Sequence, residues 1–172
     1  YRDKMLALDA KPNAAHKKLS ELEAAGKLTG VVTQNIDGLH QAAGSKNVFE
    51  LHGSVHRNYC QKCGKFFDVN YVVNAKGVPY CDECGGIIKP HVVLYEEGLD
   101  SQTINGAVRA ISKADMLIIG GTSLVVYPAA GMIDYFKGKY LAVLNRDATS
   151  RDKQADLCIT DPIGEVLGRI RV

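Results

Sequence analysis

No stretch of this chain approaches the roughly 20 consecutive apolar residues that a membrane-spanning helix requires, and no hydrophobic leader is visible. Neither a basic run nor a basic stripe occurs. With 21 basic side chains against 19 acidic ones, the net charge is +2. So even a balance gives no footprint for direct binding to nucleic acid. No G-x-G-x-x-G fingerprint is found, which argues against an ordinary dinucleotide dehydrogenase. Internal repeats and low-complexity linkers are also absent. The chain opens on Tyr1 rather than methionine, so a longer protein is expected. What is present is 172 residues, 46% apolar and 23% charged, enough for one domain with a sizeable core.

Four of the five cysteines form a pattern, Cys60-x2-Cys63 and Cys81-x2-Cys84, separated by seventeen residues. Paired C-x2-C knuckles at this spacing read as a tetrahedral zinc site. Gly64 and Gly85 follow the knuckles and permit the tight turns that aim two thiolates at one ion. The competing reading, two disulfides in a secreted domain, fits poorly without a leader, and a cytoplasmic location is expected. Cys158, in the segment LCIT, reads as a small buried hydrophobe.

The densest chemistry lies in residues 31–54, VVTQNIDGLHQAAGSKNVFELHGS. Val31, Val32 and Thr33 read as the end of a buried strand, followed at once by Gln34, Asn35, Ile36, Asp37 and Gly38. Ligands sit at the carboxyl ends of strands in open α/β sheets. A second short strand, Val48 to Leu51, delivers His52 beside Gly53, and glycine there is expected to leave room for substrate next to the imidazole. Taken singly, Asn35 and Asp37 could cap a turn and His52 could be a core histidine. Two polar clusters at successive strand ends favour a site.

Elsewhere the pattern is regular. Residues 13–25 read as an amphipathic helix stopped by Gly26, with His16 structural, and residues 28–33 as the first strand. A zinc-binding module is expected over 56–89, with Phe66, Phe67, Tyr71, Val72 and Val73 as its small core. Strands are expected at 91–95, 115–120 (fully buried), 140–145 and 157–160, and helices at 36–43, 100–112, 128–136 and 162–170. Alternating strands and helices predict an α/β fold, a doubly wound parallel (Rossmann-like) sheet formed by 1–55 and 90–172 with the zinc-ribbon module inserted. Gly120-Gly121-Thr122-Ser123 follows a strand and precedes a helix. Small residues there let backbone amides approach a phosphate, although such a turn is often only a turn. Asn145 ends the next strand, positioned either for a ribose or base edge or for a turn cap.

TQNIDGLH (33–40), ELHGS (50–54), GTSL with V-x-P-A after it, K-P-x-V-V, and A-K-P-N-x-A-H (10–16) together resemble the sirtuins, the NAD-dependent protein deacylases, in sirtuin order. The resemblance implies an enzyme that uses NAD and acyl-lysine proteins or peptides to give nicotinamide, acyl-ADP-ribose and free lysine. It implies His52 as the catalytic base on a ribose hydroxyl. Asn35 would hold the ribose and an ordered water, Gln34 would bond the ribose, and Ile36 and Asp37 would line the nicotinamide pocket. Gly121, Thr122 and Ser123 would meet phosphate and ribose, Asn145 and Arg146 the adenosine half, and Asp161 the adenine. Val92, Val93, Leu94, Tyr95 and Glu96 would pair with the substrate backbone as an added strand. Zinc bound by Cys60, Cys63, Cys81 and Cys84 would be structural.

Two departures stand out. Tyr95-Glu96-Glu97 replaces the family's F-G-E, putting a negative charge and less backbone freedom near the peptide. The family's glycine-rich G-A-G-x-S turn and G-I-P-x-F-R loop are not found. Roughly 60–80 further residues before Tyr1 are therefore expected, on domain size and resemblance. Without a first central strand, a break is expected between the parallel strands. A non-catalytic zinc-ribbon and Rossmann-like binding module is the alternative, and it predicts no nicotinamide release.

Overall fold

The structure is a computed structural model that describes residues 5–172; the first four residues of the expected 1–55 segment lie outside them. The first helix, α1 (Ala14–Ala24), starts at a capping box. Asn13 Oδ1 accepts from the His16 amide while the His16 ring accepts from the Asn13 amide. His16 is thus structural, as its position on the helix suggests.

The parallel strands fall into two sheets. One pairs β1 (Val31–Thr33) with β2 (Val48–Glu50). The other runs β6 (Met116–Gly120), β7 (Tyr140–Leu144), β8 (Leu157–Ile159), all parallel. The short α2 (Leu39–Ala42) links β1 to β2, and α4 (Ser101–Lys113) precedes β6. A 3₁₀ helix over Ala129–Tyr135 stands where an α-helix is expected over 128–136, and α5 (Ile163–Gly168) closes the chain.

Layering follows from side-chain alternation along β7. Ala142 and Leu144 face a core shared with Ala15 of α1 and Leu167 of α5. Leu141 and Val143 face the opposite core, with Ile119 and Leu124. A third core joins Leu51 and Phe49 to Ala107 and Ile111 of α4 and Met132. Strand β6 differs from expectation in burial. Only Ile119 is buried and Met116 is 46% exposed, because β7 flanks it on one side alone among the described residues.

In chain order, between the strands of the two parallel sheets, comes an antiparallel ribbon, β4 (Phe66–Asp68), β3 (Gly53–Cys60), β5 (Ile88–Val92). The expected strand 91–95 is therefore displaced toward the N-terminus and runs antiparallel. Its start joins the ribbon, and the chain turns after Val92. The cluster inside the ribbon is Cys60, Phe67, Val72, Cys81 and Ile88. Phe66 and Tyr71, expected in it, are exposed: three-residue β4 alternates, so only Phe67 points inward. Helix α3 (Val69–Asn74) buries Val69 and Val72, leaving Val73 partly exposed.

Candidate active site and metal centre

Strand β1 ends in a turn whose backbone is held from several sides. The Asn35 amide donates to Thr33 Oγ1 at 3.0 Å, and the Leu39 amide donates to Asp37 Oδ1 at 3.0 Å, so Asp37 does secure the start of α2. Gly38 sits at φ +69°, in the left-handed region that favours glycine. One strand over, His52 follows β2. Its Nδ1 lies 3.0 Å from the Gln34 carbonyl oxygen. A carbonyl only accepts, so Nδ1 carries the proton and the neutral ring keeps its lone pair on Nε2.

Gln34 also reaches the second polar cluster. Its Nε2 lies 3.5 Å from Thr122 Oγ1, in the loop after β6. Thr122 Oγ1 in turn accepts from the Leu124 amide at 3.2 Å. Gly121 adopts φ +62° with open space where a Cβ would stand, and Leu124, a buried leucine, is held at φ +56°. Strained backbone of this kind persists where the surroundings enforce it, and it gathers at ligand sites. Direct contacts thus join His52, Gln34 and Thr122. Asn145, Arg146 and Asp161 lie at the same sheet end, beyond the carboxyl termini of β7 and β8. The Asn145 side-chain amide donates to the Asp147 carbonyl at 2.8 Å, within its own turn, and Arg146 and Asp161 are exposed.

Gly53 has a different role from the one its sequence position suggests. It adopts φ +76°, and a Cβ there would stand 1.9 Å from the His91 carbonyl oxygen of β5. The glycine admits the neighbouring strand, not a substrate. Beside it the Val93 amide donates to the His52 carbonyl at 3.1 Å, tying β5 to the histidine. Past Val92 the segment proposed for substrate is a turn: the Glu97 amide donates to the Leu94 carbonyl, and Glu97 Oε2 accepts from the Leu94 amide. Leu94 and Tyr95 are exposed, and Glu96 adopts φ +71°.

The four knuckle cysteines converge, with all Sγ atoms within 4.8 Å of one another. Cys60–Cys84 and Cys63–Cys81 are 3.4 and 3.7 Å apart. A tetrahedron of ~2.3 Å metal–sulfur bonds puts its sulfurs about 3.8 Å apart, so the set fits zinc. The Cys60 thiol is drawn down to about 6, first by the backbone N–H of Cys63. The Cys63 thiol is pushed up to about 12: the Lys65 backbone N–H favours its thiolate, but the neighbouring sulfurs, led by Cys84, outweigh it. Thiols this crowded resist ionising together, and a divalent cation removes that conflict. Cys158, by contrast, is exposed rather than buried: three-residue β8 at the sheet edge turns it outward.

A cleft of about 520 Å³ is lined by Leu51 and Gly53, which flank His52, by Val92 and Val93 of the expected peptide segment, and by Glu50, Arg57, Lys89, His91, Glu97 and Asp100 among others. Its charges satisfy one another. Arg57 pairs with Glu50 at 2.8 Å and Lys89 with Glu97 at 3.0 Å, while Asp100 caps α4. Sequence reasoning missed these pairs, as it missed His56, whose ring meets Asp37. Contacts between distant strands leave no local signal.

The Sir2 family matches residues 1–128. The chain belongs to the Sir2 family. An NAD-dependent protein deacetylase of Clostridium acetobutylicum is 64% identical over 97% of this chain and 69% of its own length. The corresponding deacetylase of Clostridium perfringens is 61% identical over 99% of this chain and 70% of its own. Among solved structures, a Sir2 bound to acetylated peptide superposes with a TM-score of 0.88 at 40% identity, covering 94% of this chain and 70% of that one. A Sir2–peptide–NAD+ complex gives the same TM-score at 41% identity, with the same coverage. The Sir2 fold accounts for the α/β architecture and the parallel sheets.

Proposed function

We propose that this Sir2-family chain carries NAD-dependent protein lysine deacylation, yielding nicotinamide, acyl-ADP-ribose and free lysine. The observation that carries the reading is the fixed tautomer of His52 beside the Gln34–Thr122 contact. Holding Nδ1–H on the Gln34 carbonyl leaves Nε2 as the basic nitrogen, on a ring tied through Gln34 to the loop of Thr122. General-base work at such a nitrogen is worth ~10²–10⁴ in rate.

The donor set suits a dinucleotide. Gly121 offers open space and Thr122 and Ser123 offer hydroxyls, next to the amide of Gln34. When bound, NAD would supply an electrophilic ribose carbon and an acceptor for the acyl group. His52 Nε2 would take the proton from a ribose hydroxyl. Gln34 and Asn35 orient that ribose, and Ile36 and Asp37 wall the nicotinamide pocket. Asn145, Arg146 and Asp161 attend to the adenosine half. Residues 92–96 receive the acyl-lysine peptide. Cys60, Cys63, Cys81 and Cys84 would hold one zinc ion, and four thiolates would leave it a structural role only. We take 56–89 as a zinc module inserted between 1–55 and 90–172. A cytoplasmic location is supported by the reduced thiols that the four-cysteine cluster would need as ligands and by the unpaired Cys158; no described helix is long and apolar enough to cross a membrane.

The test is His52→Ala in the natural protein. Deacylation of an acetyl-lysine peptide should fall at least a hundredfold with the thermal midpoint nearly unchanged. Retention of a tenth of the turnover would overturn the general-base role. No nicotinamide release from the unsubstituted protein would favour the non-catalytic module.

A further inference from the structure

The ladder between β3 and β5 breaks between Ser54 and Asn58. Ser54 pairs with His91 and Asn58 with the very next residue, Pro90. Residues 55–57 therefore leave the β5 ladder, opposite a proline that has no N–H to offer. Asn58, wholly buried, braces the bulge by donating from Nδ2 to the Val55 carbonyl at 3.2 Å.

The released residues turn to the loop after β1. The Val55 amide donates to the Ile36 carbonyl at 3.0 Å, and His56 Nε2 lies 2.9 Å from the Asp37 carbonyl oxygen. Because a carbonyl only accepts, His56 donates from Nε2 in either charge state. The ring also lies against Gly38: a Cβ there would stand 2.9 Å from His56 Cδ2. Two consecutive carbonyls of the Ile36–Asp37 turn are thus held by consecutive residues of one bulge, on the strand that follows His52.

We propose that His56 is a positioning residue for the nicotinamide pocket, fixing the Asp37 backbone so that Ile36 and Asp37 keep their places relative to His52. The inference rests on the deacylase reading for the identity of the pocket, and on geometry alone for the tether. His56 itself touches no reacting atom. Arg57, next in the bulge, pairs with Glu50 of β2 and so anchors the same bulge on the other side.

The experiment compares His56→Ala and His56→Gln in the natural protein, since a glutamine amide can reproduce an Nε2 donor. Without any ligand, hydrogen exchange at Leu39, Ala42 and Ala43 should quicken severalfold in the alanine variant and return toward wild type in the glutamine variant. With NAD and an acetyl-lysine peptide, the inhibition constant for free nicotinamide should rise about three- to tenfold for alanine, the range of one lost hydrogen bond, and recover within about twofold for glutamine. Unchanged exchange, an unchanged inhibition constant in an active enzyme, or equal damage from both substitutions would each overturn the proposal. A wild-type protein that releases no nicotinamide would refute the deacylase reading instead, and the exchange experiment would still decide whether His56 holds the turn.

Discussion

Replacing Gly53 by alanine tests the packing that sets His52 in place. The residue sits at φ +76°, where an alanine costs ~1–2 kcal/mol. Its Cβ would stand 1.9 Å from the His91 carbonyl oxygen and 2.9 Å from the carbonyl carbon, both backbone atoms that no rotamer change can move. The strands must separate, loosening the Gly53–Val92 and Ser54–His91 pairs and the Val93-to-His52 hydrogen bond. Two such bonds lost add about 2 kcal/mol. A stiffer unfolded chain returns ~0.4–1 kcal/mol. The net is about 3 kcal/mol, a fall of roughly 1.5 M in the urea midpoint for a slope of ~2 kcal/mol/M. Gly77→Ala is the control, because Gly77 has the same φ of +76° with nothing within 4 Å of its Cβ position. It should lose no more than ~1 kcal/mol. If the two variants unfold within about 1 kcal/mol of each other, close approach of β5 is not what the glycine at 53 serves.

Other expectations follow from the same structure. Elemental analysis of unchelated protein should give one zinc per chain, and Cys81→Ala should lose the metal together with several degrees of thermal stability; metal-free wild type of unchanged stability would contradict this. His40 has its pKa lowered, first by burial and then by His16, against opposing pulls from Asp37 and Glu50. An unfolded histidine near 6.5 binds protons that the folded one refuses, so stability should drop as pH falls from 7.5 toward 5.5, and His40→Gln should flatten that drop in thermal melts. Glu96→Gly removes a residue held at φ +71°. Relief of ~1–2 kcal/mol outweighs the ~0.4–1 kcal/mol of added unfolded-state freedom, so the denaturation midpoint should rise, and a lower one would refute the strain argument.

Much of this was legible in the sequence because it is local. The Cys-x2-Cys knuckles with Gly64 and Gly85 at φ +75° and +67°, the helix Ala14–Ala24 stopped before Gly26, and the short parallel strands all follow from spacing within a dozen residues. What was not legible depends on which strand meets which. HVVLY looks like a buried parallel strand by composition, yet its first two residues pair antiparallel with Gly53 and Ser54. Gly53 looked like room for a ligand because the His91 carbonyl that abuts it lies far along the chain. Nothing local to His56 and Arg57 signals the bulge that turns them toward Asp37 and Glu50.

The position of the cysteine cluster bears on how the molecule assembles. Cys60 ends β3, and Cys81 and Cys84 stand just before β5, so a bound ion clamps the two long strands at the end farthest from His52. Closing the seventeen-residue loop between the knuckles costs less chain entropy than joining Leu51 to Ala107 and Met132 in the core. The cheapest order is therefore for the ribbon to start at the metal and zip toward Gly53, with the bulge and its grip on the β1 turn forming late. Metal supply is then expected to set how quickly a newly made chain closes the ribbon that begins beside His52.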